Sequence, residues 1–301
     1  MEIRYVEMKV AFIAFLATTL LLLGSGEGYP VGVSAEPGGL LIQYIKPGEL
    51  YDLEARSGLR LKISNRSSEQ RTYRISVAQP QQLGIEKWIE GYVPIPQPDW
   101  FSLEPAEIEI APQSTGYARM FINIPADSRY FNQHWVVALA IQSVPKGGEV
   151  LTLALRPVYY LETKSREDVS ARTGELLGIG PTVLTCPRTS PGKEQARIPC
   201  GEVQIHNGDS RPHAYSISAE VPNVMASGQK VSPSPGFSWL ENPASVVTTE
   251  NHLTLKPGQS WTIGVRLLTA RDKVLPPQNR ECLLWVKPDK GSAGFVRIQI
   301  K

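Results

Sequence analysis

One strand–turn–strand pattern is written twice in this chain, and it limits the fold more than any other feature. Leu61-Lys-Ile63-Ser-Asn65 followed by Tyr73-Arg-Ile75-Ser-Val77 returns as Val203-Gln-Ile205-His-Asn207 followed by Tyr215-Ser-Ile217-Ser-Ala219, every matched pair offset by 142 residues. In both copies apolar residues alternate with polar ones on either side of an Asn-led polar turn. That period of two marks half-buried antiparallel strands, read here as a hairpin-like unit. A β-rich unit repeated at this distance implies a tandem duplication.

The length of 301 residues accommodates two such units, each with its own core. The 25 prolines and 25 glycines are spread between short apolar runs, as the turns of an all-β protein require. With a formal net charge of +2 and no run of five or more like charges, the chain lacks the basic patch that nucleic acid binding needs.

The first segment reads as a secretory signal. Lys9 precedes the apolar stretch Val10–Leu23, and Gly24, Ser25, Gly26 and Gly28 follow it. As a helix that stretch reaches only about 21 Å, short of a roughly 30 Å hydrocarbon core. A signal over residues 1–28, cleaved near Gly26 or Gly28, is the expectation, and the acidic prefix Met1–Glu7 leaves Met1 and Met8 both open as starts. No later stretch is long and apolar enough to span a membrane. The expected location is therefore exported, in the periplasm or at the cell surface.

Along the rest of the chain, Val31–Gln43 reads as a strand pair turning at Pro37-Gly38-Gly39. The repeated unit follows, then an irregular connection over Gln79–Asp99. A second shared pattern places Trp100 before Ile108-Glu-Ile110 and a Pro-led turn, and Trp239 before Leu253-Thr-Leu255 and another. Paired strands are expected at Arg119–Ile124 with Trp135–Ile141 and at Trp261–Leu268 with Cys282–Val286. Each half closes on an alternating run, Val150–Leu155 or Phe295–Ile300. Roughly seven strands per half is the count of an immunoglobulin-like sandwich. The expected fold is all-β, two tandem immunoglobulin-like antiparallel β-sandwiches over residues 29–163 and 178–301, with a polar linker over 164–177.

All three cysteines lie in the second half. Strand parity puts Cys200 on the outer face with Glu202 and Gln204, against a bridge through the core to Cys282. A Cys186–Cys200 disulfide closing the polar loop between them contributes about 3 kcal/mol by loop-closure entropy. Cys282 shares a face with Leu284 and Val286 and reads as a buried free thiol.

Catalytic constellations are weak. Gly208-Asp209-Ser210 has the residues of a hydrolase nucleophile block, but Arg211-Pro212 follows and His252 has no acid three residues before it. The block falls in the repeated polar turn, where these residues are ordinary turn formers. His134, His206, His213 and His252 show no metal-ligand spacing, and Glu104, Glu107 and Glu109 fit a solvated strand face. The sequence therefore points to no enzyme, no metal and no cofactor. Trp88, Tyr92, Tyr130 and Phe131, in irregular segments, are the candidate contact aromatics. Asn65-Arg-Ser67 is formally a glycosylation sequon.

The strand–Asn–turn–strand element, the Trp-Phe/Leu pairs and Asn279-Arg280-Glu281-Cys282-Leu283-Leu284-Trp285-Val286 resemble the bacterial immunoglobulin-like group that includes pilus periplasmic chaperones and related cell-envelope domains. In those chaperones the strand resembling Arg280–Val286 belongs to the first domain, whereas here it lies in the last, so no subunit-anchoring basic residue is carried over. The resemblance implies a binding or scaffolding protein of the cell envelope. Its partner would be an envelope or pilus-type protein held by edge-strand pairing, with the closing strands Val150–Leu155 and Phe295–Ile300 as candidate edges. The alternative is a glycan-binding module using the four exposed aromatics.

Overall fold

The computed structural model describes residues 32–145, 154–168, 176–187, 197–222, 231–268 and 278–301. The signal segment lies outside the described residues, as do most of Val150–Leu155 and the middle of the linker. The first half contains β1 (Val33–Glu36), β2 (Gly39–Ile45), β3 (Leu50–Asp52), the short helix α1 (Leu53–Ser57), β4 (Arg60–Asn65), β5 (Arg71–Ala78), β6 (Val93–Pro94), β7 (Phe101–Glu104), β8 (Glu107–Ile110), β9 (Thr115–Asn123), β10 (His134–Ser143), β11 (Ala154–Leu155) and β12 (Val158–Thr163). The second half contains β13 (Leu177–Gly180), β14 (Val183–Cys186), β15 (Arg197–Asn207), β16 (His213–Glu220), β17 (Ser238–Trp239), β18 (Val246–Thr248), β19 (His252–Leu255), β20 (Ser260–Leu268), β21 (Arg280–Pro288) and β22 (Gly294–Ile300).

The fold is all-β, and each half is a sandwich of two sheets. In the first half β4 pairs with β1 and β9, while β3 and β7 add to β9. The facing sheet runs β2-β12-β10-β5-β8. The second half repeats this as β13-β15-β20-β18 facing β14-β22-β21-β16-β19. One apolar core holds Leu61, Ile63, Tyr73, Ile75, Trp135 and Leu161. The other holds Val203, Ile205, Tyr215, Ile217, Leu284 and Ile298.

The repeated unit is an arch rather than a hairpin. β4 and β15 belong to one sheet of each sandwich, and β5 and β16 to the other. Leu61 and Ile63 therefore face Tyr73 and Ile75 across the core instead of lying beside them. The arch is pinned by its asparagine. Asn65 is buried, and its Nδ2 donates to the carbonyls of Glu69 (2.7 Å), Ile110 and Ala111 (3.1 Å each) while its Oδ1 accepts from the Ser67 amide. Asn207 does the same with the Arg211 and Leu255 carbonyls and the Asp209 amide. Both side chains satisfy backbone groups that the arch takes out of water. A buried Nδ2 with three acceptors is no glycan acceptor, which disposes of the sequon.

Four strand assignments change for physical reasons. Pro37-Gly38 is a crossing between sheets, since β1 pairs with β4 and β2 with β12. Arg119–Ile124 and Trp135–Ile141 likewise lie in opposite sheets, as do Trp261–Leu268 and Cys282–Val286. Phe295–Ile300 is no edge, because β22 sits between β14 and β21. Cys200 faces the core, only 8% exposed. The register of β15 against β20 shifts between Pro199 and Gly201. Cys200 is the extra, unpaired residue of this bulge and Gly201 follows it at φ +131°, which resets the alternation between Ile198-Pro-Cys200 and Val203-Gln-Ile205. Cys186 and Cys200 are bonded with Cα atoms 4.2 Å apart, and Cys282 is a buried free thiol.

Candidate functional site

The two halves meet through the sheets that contain β10 and β12 on one side and β21 and β22 on the other. An alternating strand normally keeps one face in water. Here the second faces cover each other. Val136 and Tyr160 form one buried cluster with Leu283, Trp285 and Phe295, joined by Ile89 and Tyr92 from the connection after β5. All of β10 from His134 to Ile141 is consequently buried.

Charged side chains are set into this apolar junction. Arg297 is fully buried, and its Nε and Nη2 donate to the two oxygens of Glu162 at 2.8 and 2.6 Å. Its Nη1 donates to Glu281 Oε1 at 2.6 Å and to the Ser232 carbonyl at 3.1 Å. The Tyr92 hydroxyl and Gln43 Nε2 also donate to Glu162. Gln299 Nε2 donates to Glu281 Oε2 at 3.0 Å, and the Ser234 amide to Glu281 Oε1 at 3.1 Å. Glu162 belongs to the first half and Glu281 to the second, so Arg297 ties the two together. Burial alone would raise the Glu162 carboxyl, but the Arg297 guanidinium overrides it and holds the group down to about 2. Burial likewise works against the Arg297 charge, yet Glu162 moves its pKa upward overall. Such a pair persists in a dry interior only when its geometry and hydrogen bonds are this complete.

Beside the network runs β2, the outermost strand of its sheet. It pairs in parallel with β12, and among the described residues no strand pairs with its other side. Leu40 and Ile42 pack on the first core and Leu41 on the junction cluster. Gln43 and Tyr44 reach across to Ser234 and Gln299 at 3.3 and 3.2 Å. The edge is thus packed on both faces, regular from Gly39 to Ile42 and irregular at Tyr44, whose φ is +60° and whose carbonyl accepts from the Tyr51 hydroxyl at 3.1 Å. It is seven residues long, whereas β1, β7, β8, β13, β14 and β19 have four each. On β8, Glu107 and Glu109 are exposed as well, and charge on an edge discourages pairing.

The sequence-predicted aromatics do not make a common surface. Tyr92 and Phe131 are buried, 2% and 8% exposed. Trp88 is half-buried against the junction, its Nε1 donating to the Tyr92 carbonyl at 2.8 Å. Tyr130 packs edge-on to Trp100 at 4.7 Å. Cys186 and Cys200 lie within the second core, apart from the junction. In the Gly208-Asp209-Ser210 turn, the Ser210 hydroxyl donates to Asp209 Oδ1, while the two ring nitrogens of His213 engage Asp209 Oδ2 at 2.7 Å and Asp289 Oδ1 at 2.8 Å. The serine hydroxyl meets the carboxylate of its own turn, and among the described residues no imidazole reaches it, since both His213 nitrogens are engaged by Asp209 and Asp289. Among the described residues no group of three His, Cys, Asp or Glu side chains could hold a metal ion, and no helix is long and apolar enough to cross a membrane.

Glu162, Glu281, Arg297 and Gln299 escaped the sequence reading. Their signal was faint: Phe295, Arg297 and Gln299 alternate with the core residues Val296, Ile298 and Ile300, and a large aromatic in that outer register is out of place on a solvated face.

No protein-family profile and no curated protein matches the sequence. Among solved structures, the chain is similar to the periplasmic chaperone SfaE, at 8% identity over 89% of this chain and 99% of that one, TM-score 0.32. It is similar to the E. coli chaperone DraB at 11% identity over 90% and 96%, TM-score 0.30. A PapD-like domain of human CEP192 matches at 10% identity over 46% of this chain and 90% of that domain, TM-score 0.33. These are loose likenesses, at the level of fold.

Proposed function

We propose that the chain is an exported, non-catalytic binding and scaffolding protein of the bacterial cell envelope, with a signal over residues 1–28 and two domains over 29–163 and 178–301 joined by 164–177. It receives an extended segment of an envelope or pilus-type protein on the outer edge of β2. The observation that carries this reading is the seven-residue, largely apolar edge strand, packed on both faces and with no strand on its outer side among the described residues. Backbone hydrogen bonds to such an edge supply affinity, and side chains on alternate positions supply selectivity.

Replacing Tyr44, 46% exposed at the end of β2, by a photo-reactive phenylalanine derivative tests it in intact envelopes. The same replacement at Tyr117, 44% exposed on β9 in the other sheet, is the control. Irradiation is expected to trap a protein at Tyr44 and not at Tyr117. Equal capture at both positions, or capture at neither, contradicts the reading.

A further inference from the structure

A cleft of about 250 Å³ opens where the halves meet, on the His134 side of the charge network. Its walls come from separate parts of the chain: Val93 on β6, Gln133 and His134 at the start of β10, Ile179 and Thr182 around the β13–β14 crossing, and Phe295 on β22. The floor is tied across the halves. Asn132 Oδ1 accepts from the Ser165 hydroxyl at 3.1 Å, the Arg166 amide at 2.9 Å and the Thr182 amide at 3.3 Å, so the shape is built in rather than induced.

His134 is the chemically unusual wall. It is 8% exposed and stacks on Phe295 with ring centroids 4.1 Å apart. Neither ring nitrogen has a hydrogen-bond partner among the described residues, and the residue lines the cleft wall. Burial pushes the imidazole down to about 4, with Glu162 opposing and Arg297 assisting. At neutral pH it therefore offers one donor and one acceptor and no charge. Thr182, also in the wall, has its Oγ1 buried without a partner among the described residues. Among the described residues that line the cleft there is no Lys, Arg, Asp or Glu. Polar groups enclosed to this degree cost free energy until something pairs with them.

We infer that this cleft is a binding site for a neutral, ring-sized molecule or side chain that carries a hydroxyl on an apolar body, the hydroxyl pairing with His134 and the ring lying among Val93, Ile179 and Phe295. The volume is just below the usual range for drug-sized ligands, about 300–1,000 Å³, which sets the size at a single ring. An anion would find no cation among the described wall residues and would bear the cost of bringing a charge into the wall.

The test uses the full chain with ring-labelled histidine. Phenol, benzoate and benzene are titrated in turn while the His134 ring signals are followed by NMR, with saturation transfer to each ligand. Phenol is expected to shift His134 at millimolar concentration. Benzoate and benzene should bind at least about 5-fold more weakly, the loss expected for one charge mismatch or one missing hydrogen bond. His134→Phe, which retains the stack on Phe295, should remove the preference for phenol over benzene. Phenol that leaves His134 unshifted, benzoate that binds as well as phenol, or a preference that survives His134→Phe overturns the inference. If His134→Phe does not fold, the wild-type comparison of the three ligands decides alone.

Discussion

At the scale of residues, two kinds of side chain make measurable claims. Asn65 and Asn207 each hold an arch closed from inside, and nothing else of that shape can supply both donors and an acceptor. Asn207→Ala leaves two carbonyls and an amide without partners, so a loss of roughly 2–4 kcal/mol is expected by denaturant titration, against a near-neutral Asn251→Ala on the surface. The histidines act in opposite senses. His213 sits between Asp209 and Asp289, and hydrogen bonds to first one and then the other raise its pKa. Its contribution is therefore fully present below its unfolded value of about 6.5 and disappears as pH rises through the higher folded value. His134 is depressed by burial to about 4. The unfolded chain takes up that proton first, so stability falls as pH drops from about 6.5 toward 4. Melting temperatures from pH 4.5 to 8.5 should show His213→Gln most harmful at the acid end. His134→Gln should flatten the acid loss, and equal effects at all pH values would contradict both assignments.

At the scale of elements, alternation reveals which side chains face a core but not which strand lies alongside. That is why the positions of Leu61, Ile63, Tyr73 and Ile75 were legible while the arch read as a hairpin: both arrangements present the same parity. Cys200 shows the second limit. The disulfide partner was legible from the short loop, yet the face was not, because one extra residue in the ladder, Cys200 itself, inverts everything on one side of it. Gly201 also lies 3.0 Å, at its would-be Cβ, from Leu184 Cδ2. Gly201→Val is accordingly expected to cost about 1–3 kcal/mol through its φ and this contact, measured by denaturant titration. A neutral result would mean that the bulge is dispensable. β2 escaped notice as an edge for a similar reason. Its run Leu40-Leu41-Ile42 is apolar on both faces, the pattern of a buried central strand, because the second half covers the face that would otherwise be wet.

At the scale of the whole molecule, the two sandwiches share one dry layer. Polar positions of an alternating run normally mean solvent, and Arg297 and Gln299 followed that expectation in the sequence. The alternation was correctly legible; the covering partner was not, since nothing local to β22 encodes the outer face of β12. Duplication alone does not explain the junction either. At positions where the second copy carries Glu281 and Arg297, the first contributes Val136 and Val158 to its half of the interface, so the copies have diverged into complementary faces. Arg297→Met leaves Glu162 and Glu281 buried without a cation and is expected to cost about 3–5 kcal/mol, whereas adding Glu162→Gln and Glu281→Gln should restore much of it. The packing of β2, and with it the proposed partner edge, depends on this layer. Scanning calorimetry of the full chain tests that dependence most directly. The wild type should unfold in a single transition whose calorimetric and van't Hoff enthalpies agree, and Arg297→Met should lower or split it; two independent transitions in the wild type, unmoved by Arg297→Met, would contradict it.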